Sequence, residues 1–155
     1  MAIFLSTHIN KLDKKGRVSV PASFRAHLIG NTFQGMVAFR SLSLPAIEGF
    51  GMARMERLSA QIDTLDPFSQ DQDDLTASIF ADAQALGFDG EGRILLPDAL
   101  ITYAQLSETV AFVGRGATFQ LWSPPLFEQH QETARARLKT QRPLLAPLTE
   151  KGRLP

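Results

Sequence analysis

Hydrophobic and polar positions alternate over short stretches in both the N-terminal and the C-terminal parts of the chain. Val18-Ser19-Val20 alternates with a period of two, which is typical of a half-buried strand. Gly16 tolerates the positive φ that a tight turn before this strand often requires, and Pro21 suits the first turn of a helix. The first half is therefore predicted to contain strands at 3–12, 17–20, 36–40 and 41–44, and a short helix at 21–28 that Gly30-Asn31 ends. The second half is predicted to contain strands at 86–88, 93–96, 110–113 and 118–122, and a helix that begins at Pro97.

A helical period replaces this alternation between and after the two regions. Residues 46–65 carry apolar side chains three or four positions apart, which predicts an amphipathic helix that ends before Asp66-Pro67. Asp74 is predicted to cap a second helix over 75–85. A third helix, predicted over 123–139, has acidic residues early and basic residues late, an order that complements the helix dipole.

One nine-residue sequence occurs twice. Asp13-Lys14-Lys15-Gly16-Arg17-Val18-Ser19-Val20-Pro21 returns 76 residues later as Asp89-Gly90-Glu91-Gly92-Arg93-Ile94-Leu95-Leu96-Pro97. Four positions are identical in the two copies: Asp13 and Asp89, Gly16 and Gly92, Arg17 and Arg93, and Pro21 and Pro97. Two positions between the arginine and the proline are apolar in both copies. Val37-Ala38-Phe39 similarly returns as Val110-Ala111-Phe112. These matches, within elements in the same order, indicate a tandem duplication.

Composition places the chain among ordinary globular proteins. It has 155 residues, of which 44% are hydrophobic and 21% charged, and it has no cysteine. These values exclude a wholly disordered or fibrous chain, disulfides and thiolate zinc sites. No apolar run approaches the ~18–20 residues of a membrane-spanning helix, and the first residues do not resemble a signal peptide. We therefore expect a cytoplasmic protein with no membrane partner.

The net charge of zero conceals a division along the chain. Residues 1–40 carry six basic residues and one acid, residues 41–110 three and twelve, and residues 111–155 seven and three. A basic segment can bind a polyanion even when the whole chain is neutral, because the local field decides. Charge alone, however, favours the simpler interpretation that these residues solvate different faces.

The candidate enzymatic and metal-binding patterns in the sequence are weak. His8, His27 and His130 lack ligand spacing, and Gly114-Arg115-Gly116 is better explained as a hairpin turn. No Gly-x-Ser-x-Gly nucleophile sequence occurs, and the acids between residues 48 and 108 are scattered as solvated acids usually are. We expect no enzymatic activity, no cofactor, no metal and no small-molecule substrate.

The doubled Asp-x-x-Gly-Arg-apolar-x-apolar-Pro motif, with Val113-Gly114 and Leu121-Trp122 in the second half, resembles the MraZ family. These are regulators from the bacterial division and cell-wall gene cluster, and the resemblance covers the chain up to about residue 140. It implies a mixed α/β fold, mainly β, in which two AbrB-like swapped-hairpin units interleave into a pseudo-twofold β-barrel. It also implies a nucleoid-associated homo-oligomeric ring that binds repeated boxes in double-stranded promoter DNA and represses the cluster, including its own promoter.

The resemblance and the repeat together predict five segments. They are a first DNA-binding repeat (1–50), a helical connection (51–85), a second repeat (86–123), a C-terminal helix (124–142) and an irregular tail (143–155).

Basic residues surround the first motif more densely than the second. Lysine neutralises phosphates without reading sequence, whereas arginine can contact O6 and N7 of guanine in the major groove. Glu91 makes the second turn acidic, so the sequence does not decide whether the second repeat binds DNA directly. For Arg93, a DNA contact and an ion pair with Asp89 within the turn are equally supported. The aspartates are better explained as residues that fix the turns. The candidate DNA-binding residues are Lys11, Lys14, Lys15, Arg17, Arg25 and Arg93, and the candidate structural residues are Asp13, Gly16, Pro21, Asp89, Gly92 and Pro97.

Two rival functions belong to other classes. An AbrB-like antitoxin or interaction module would mainly hold a protein partner, and it would carry one swapped-hairpin unit with a separate toxin-binding tail. An enzyme would need a concave site with perturbed titratable groups, which the sequence does not supply. The two motifs favour a sequence-specific DNA-binding repressor over both.

Overall fold

The computed structural model describes residues 3–29 and 33–148. The strands in these ranges are β1 (Thr7–Lys11), β2 (Arg17–Ser19), β3 (Gly35–Arg40), β4 (Ile47–Phe50), β5 (Gln84–Gly87), β6 (Arg93–Leu95), β7 (Thr109–Gly114) and β8 (Phe119–Trp122). The α-helices are α1 (Ala22–Leu28), α2 (Met52–Ile62), α3 (Gln70–Leu75), α4 (Asp98–Tyr103) and α5 (Pro124–Thr140), and α3 continues into a π-helical segment, Thr76–Phe80. No helix within the described ranges combines the length and the apolar character needed to cross a bilayer.

The chain divides into two compact units at Pro124. The second unit contains most of α5, and its described residues 141–148 have no regular structure. The rest of the predicted tail, 149–155, and the predicted helix end at Gly30-Asn31 lie outside the described residues.

Six strands of the first unit form one antiparallel sheet in the order β1-β7-β8-β4-β3-β5, and β2 and β6 form a separate antiparallel ladder. The duplication relates β1 to β5, β2 to β6, β3 to β7 and β4 to β8. If each strand is replaced by its equivalent in the other repeat, the same sheet order results, read from the opposite edge. The pairs of neighbouring strands are therefore the same before and after the replacement. The first strand of each repeat therefore pairs with the third strand of the other repeat, so the two repeats are interleaved.

The fold is mixed α/β and mainly antiparallel sheet, as predicted from the sequence. The expected closed β-barrel is not confirmed, because the six-stranded sheet is open over the described residues, with β1 and β5 as its two edges. The repeat-equivalent residues Val18 and Ile94 face each other at the centre of the ladder.

Two apolar clusters cover the two faces of the six-stranded sheet. Along β3, Met36 and Ala38 belong to the larger cluster, whereas Val37 and Phe39 belong to the smaller one. The larger cluster also contains buried side chains of the ladder, α1 and α4, from both repeats. The smaller one includes side chains of α2 and of the π-helical segment. The ladder, α1 and α4 thus lie on one face, and α2 with the π-helical segment on the other.

The predicted strand at 41–44 is wrong, and the predicted helix over 46–65 begins too early. The main-chain N–H of Leu44 donates to Ser41 Oγ (3.2 Å), and Tyr103 donates its hydroxyl proton to the Ser41 carbonyl (2.7 Å). These contacts hold residues 41–44 as a turn, so the strand comes later, at Ile47–Phe50. Residues 47–50 alternate between buried and half-buried positions, but the apolar spacing across 46–65 also fits a helix, which is why the strand was missed. The helix begins only at Met52.

The predicted helix over 75–85 is also misplaced. Ser69, not Asp74, caps α3, because its hydroxyl oxygen accepts the main-chain N–H of Gln72 (3.2 Å). The helical stretch ends at Phe80, and Gln84 already begins β5, which pairs with β3. Pairing with a distant strand therefore decides the structure of residues 84–85, which the local pattern assigns to a helix.

Candidate nucleic-acid interface

The first Asp-x-x-Gly-Arg motif forms a closed turn around the Asp13 carboxylate. Oδ1 of Asp13 accepts the main-chain N–H groups of Lys15 (2.9 Å) and Arg17 (2.8 Å), and Oδ2 accepts Arg17 Nε–H (2.7 Å). Gly16 has a φ of +88°, which favours glycine. A single carboxylate thus fixes both the turn and the orientation of the arginine side chain.

The second motif repeats this geometry atom for atom. Oδ1 of Asp89 accepts the main-chain N–H groups of Glu91 and Arg93 (both 2.9 Å), and Oδ2 accepts Arg93 Nε–H (2.9 Å). Gly92 has a φ of +76°. The second arginine differs in one respect, because its Nη2 also lies 3.7 Å from Glu91 Oε1.

These contacts change the acidity of the groups that make them. The pKa of Asp13 is lowered chiefly by the main-chain N–H of Arg17, and the pKa of Asp89 chiefly by that of Arg93. The pKa of the Arg93 guanidinium is raised, mainly by its hydrogen bond to Asp89. Both aspartates are therefore ionised at neutral pH, and both turns keep their ion pairs.

The exposed face of the β2–β6 ladder brings the two arginines together. Val18 and Ile94 point into the core, and their neighbours point outward because successive strand residues alternate between faces. Arg17 lies opposite Leu95, and Arg93 lies opposite Ser19. This register places the two arginine Cα atoms about 8 Å apart on one face. A two-stranded ribbon of this kind fits the major groove of DNA.

The two turns lie at opposite ends of the ladder and differ in charge. Leu96 N–H donates to the Gly16 carbonyl (2.8 Å) at one end, and Val20 N–H donates to the Gly92 carbonyl (3.1 Å) at the other. Lys14 and Lys15 are exposed at the first turn, whereas the second turn has Gly90 and Glu91 at these positions. Lys11 is exposed at the end of β1. The first end of the ladder is therefore the more basic one.

Arg25 lies beside the second turn, although it is close to the first motif in sequence. Its Nη1 donates to the Val20 carbonyl, and a Cβ on Gly92 would lie 2.8 Å from the Arg25 guanidinium. The interleaving of the repeats explains this placement, because it sets α1 of the first repeat over the turn of the second.

The two prolines lie at the starts of equivalent helices. The Pro21 carbonyl accepts the N–H groups of Phe24 and Arg25 at the start of α1, and the Pro97 carbonyl accepts those of Leu100 and Ile101 at the start of α4. Each helix thus begins one residue after its proline, at the end of a ladder strand.

The histidines near the first motif contact aromatic rings. The His8 ring lies edge-on to Phe24 at 5.4 Å, and the His27 ring lies edge-on to Phe4 at 5.5 Å. In the part of the chain that the structure describes, no three His, Asp or Glu side chains come together as metal ligands.

Sequence reasoning missed two residues of the exposed ladder face, Ser19 and Leu95. Leu95 is 58% exposed although it is apolar. The period-two alternation around Val18 and Ile94 was the signal that could have found both.

The fold and the site define a class of protein: two interleaved repeats that present one exposed ladder between two Asp-fixed turns. A sequence model of the family described as "MraZ protein, putative antitoxin-like" matches residues 3–77 and again residues 79–145. The chain belongs to the MraZ family, and the family model matches each of its two repeats.

Curated relatives match almost the whole chain. It is 46% identical over 154 residues to the transcriptional regulator MraZ of Gluconobacter oxydans, covering 95% of this chain and 94% of that protein. It is 44% identical over 140 residues to the protein of that name from Pelagibacter ubique, covering 90% of each. The identity to that of Rickettsia akari is 42% over 142 residues, covering 92% and 95% respectively.

Proposed function

We propose that this chain is a sequence-specific DNA-binding transcriptional regulator whose DNA interface is the exposed face of the β2–β6 ladder with its first turn. The observation that carries the proposal is the pair of arginines, Arg17 and Arg93, each fixed by an aspartate on one face of a two-stranded ribbon. The names of the curated relatives, all transcriptional regulators, support the same function.

The contacts support different roles for Arg17 and for the lysines of the interface. Asp13 uses only Nε of Arg17, and the described part of the chain contains no other side-chain hydrogen bond to this arginine. Its two terminal nitrogens can therefore pair with guanine in the bidentate manner of arginine–base contacts. Lys11, Lys14 and Lys15 are exposed and neutralise phosphates.

The finer parts of the proposal rest on the resemblance to the family. The protein would act as a homo-oligomeric ring, associated with the nucleoid, that binds repeated boxes and represses the division and cell-wall cluster. A ring raises the effective concentration of each interface near the next box, so many weak contacts would add to a high affinity. The exchanged strands support AbrB-like swapped-hairpin units in residues 1–50 and 86–123, joined by a helical connection.

A double substitution, Lys15→Ala with Arg17→Ala, tests this function. It removes one phosphate contact and one base contact, and a good bidentate base contact alone carries about 1–3 kcal/mol of discrimination. We expect loss of specific binding in a mobility-shift assay with the DNA upstream of the protein's own gene, repeated over a salt series. The matched control, Arg54→Ala with Arg57→Ala on α2, removes the same charge away from the ladder. Unchanged affinity of the double variant, with an intact circular dichroism spectrum, would refute the assignment.

A protein-binding module is the second candidate, favoured by the antitoxin-like description of the family. Such a module would leave the promoter DNA unbound at every salt concentration of the same assay, and its wild-type and variant forms would behave alike.

A further inference from the structure

We propose that Arg25 supplies the phosphate contact of the second turn, so that this end of the interface is assembled from both repeats. The inference rests on the proposed function and assigns the second repeat a direct part in it. It follows from a comparison of two positions that the duplication makes equivalent.

Arg25 stands on α1 of the first repeat and reaches the turn of the second. Its Nη1 donates to the Val20 carbonyl, at the end of the ladder where Val20 N–H donates to Gly92. The guanidinium occupies the space next to Gly92 so closely that a Cβ there would lie 2.8 Å from its Cζ. The side chain is half-buried, so part of it faces solvent beside the turn.

Ile101 occupies the equivalent position on α4, 76 residues later. Its Cδ1 lies 3.5 Å from where a Cβ on Gly16 would be, so each helix covers the turn glycine of the other repeat. An aliphatic side chain therefore fills this space adequately. The Leu96 carbonyl, which is equivalent to that of Val20, receives no side-chain hydrogen bond within the described ranges. Neither packing nor hydrogen bonding in this fold requires a guanidinium here.

The charge of the second turn supports a role in DNA binding for the Arg25 guanidinium. Asp13 to Arg17 sums to +2, whereas Asp89 to Arg93 sums to −1. An acidic turn repels the phosphate backbone, which carries one negative charge per ~1.7 Å of duplex. Arg25 cancels this excess, and its planar guanidinium offers more donors than the one that binds Val20.

The test compares Arg25→Met, Arg25→Lys and Arg57→Met by fluorescence anisotropy with the promoter fragment over a salt series. Arg25→Met keeps an unbranched side chain over Gly92 and removes the charge, so we expect weaker binding to all sequences. The slope of log affinity against log salt should fall by about 0.9, the value for one lost phosphate contact. Arg25→Lys should keep the wild-type slope. Arg57→Met removes the same charge from an exposed position on α2 and should bind like the wild type.

The outcomes separate this inference from the proposed function. A wild-type slope and affinity for Arg25→Met overturn the inference alone, whereas a wild-type protein that binds no DNA overturns the proposed function. If Arg25→Met lowers the unfolding temperature, Glu91→Gln at the exposed tip of the turn decides instead. It should tighten binding at low salt if phosphates pass this turn, and unchanged binding would contradict the inference.

Discussion

Gly49 is the position where one added methyl group tests the packing at the centre of the sheet. It lies on β4 opposite Phe119 of β8, and a Cβ there would lie 2.4 Å from Phe119 Cε2. The Phe119 ring is fully buried and touches the rings of Phe4 (centroids 4.8 Å apart) and Phe24 (5.2 Å). It cannot move aside without displacing these neighbours. Gly49→Ala should therefore carry the cost of an overpacked core, about 1–3 kcal/mol in the free energy of unfolding.

Thermal unfolding followed by circular dichroism measures this cost. For a chain of this size, 1–3 kcal/mol corresponds to a fall in Tm of roughly 2–12 °C. Two other glycines serve as controls. Gly90→Ala meets no atom within 4 Å and should leave Tm unchanged, whereas Gly116→Ala meets none but has a φ of +80°, which costs about 1–2 kcal/mol. If Gly49→Ala unfolded at the same temperature as Gly90→Ala, the tight contact between β4 and β8 would be refuted.

Two further predictions concern the turns. The pKa values of Asp13 and Asp89 are lowered by folding, so their contribution to stability is present above the ordinary aspartate range and is lost as pH falls below about 4. Unfolding midpoints between pH 7 and 3 should fall less in Asp13→Asn with Asp89→Asn than in the wild type, and the remaining fall includes that of Asp82, whose pKa is lowered by its hydrogen bond to Arg40. A fall of wild-type size in the double variant would contradict this. Arg93→Ala should reduce DNA affinity less than Arg17→Ala does, because Arg93 is also paired with Glu91. Titrations with DNA probes that carry one box or several boxes measure both losses. A larger loss for Arg93→Ala on both probes would reverse the ranking.

The features that the sequence predicts correctly are the local ones. The Asp-x-x-Gly-Arg turns need only an aspartate within reach of the next main-chain N–H groups and a glycine with positive φ, so their residues are readable from one short window. The two prolines likewise mark the starts of α1 and α4. The duplication adds a second copy of each signal, which is why the order of elements is largely correct in both halves.

The features that the sequence does not reveal depend on distant residues. Ile47–Phe50 becomes a strand because β3 and β8 pair with its two sides, although its apolar residues continue into a helical period. Arg25 lies beside Gly92 because β2, which precedes α1 in the first repeat, pairs with β6 of the second repeat. Residue spacing within one repeat contains no information about that pairing, so the contact of Arg25 with the second turn could not be predicted.

The pairing between the repeats also has a consequence for each half of the chain in isolation. Residues 1–66 alone would leave β1 without β7 and β3 without β5, and they would contain only part of the larger apolar cluster. Because β7 is the repeat equivalent of β3, a second copy of the same half offers β1 a substitute partner. We expect this half to be unfolded when dilute and to fold as a dimer when concentrated.

Sedimentation velocity and circular dichroism over a range of protein concentrations test this expectation, because folding that requires association depends on concentration. Helix and strand signals should appear together with the dimer, and neither should precede it. The mixture of residues 1–66 with residues 67–148 should instead fold at lower concentration, since it restores the pairing of the whole chain. A first half that unfolds cooperatively as a monomer, at a temperature independent of concentration, would mean that β1 and β3 do not need their partners from the other repeat. The interleaved sheet would then be a docking of two independent domains.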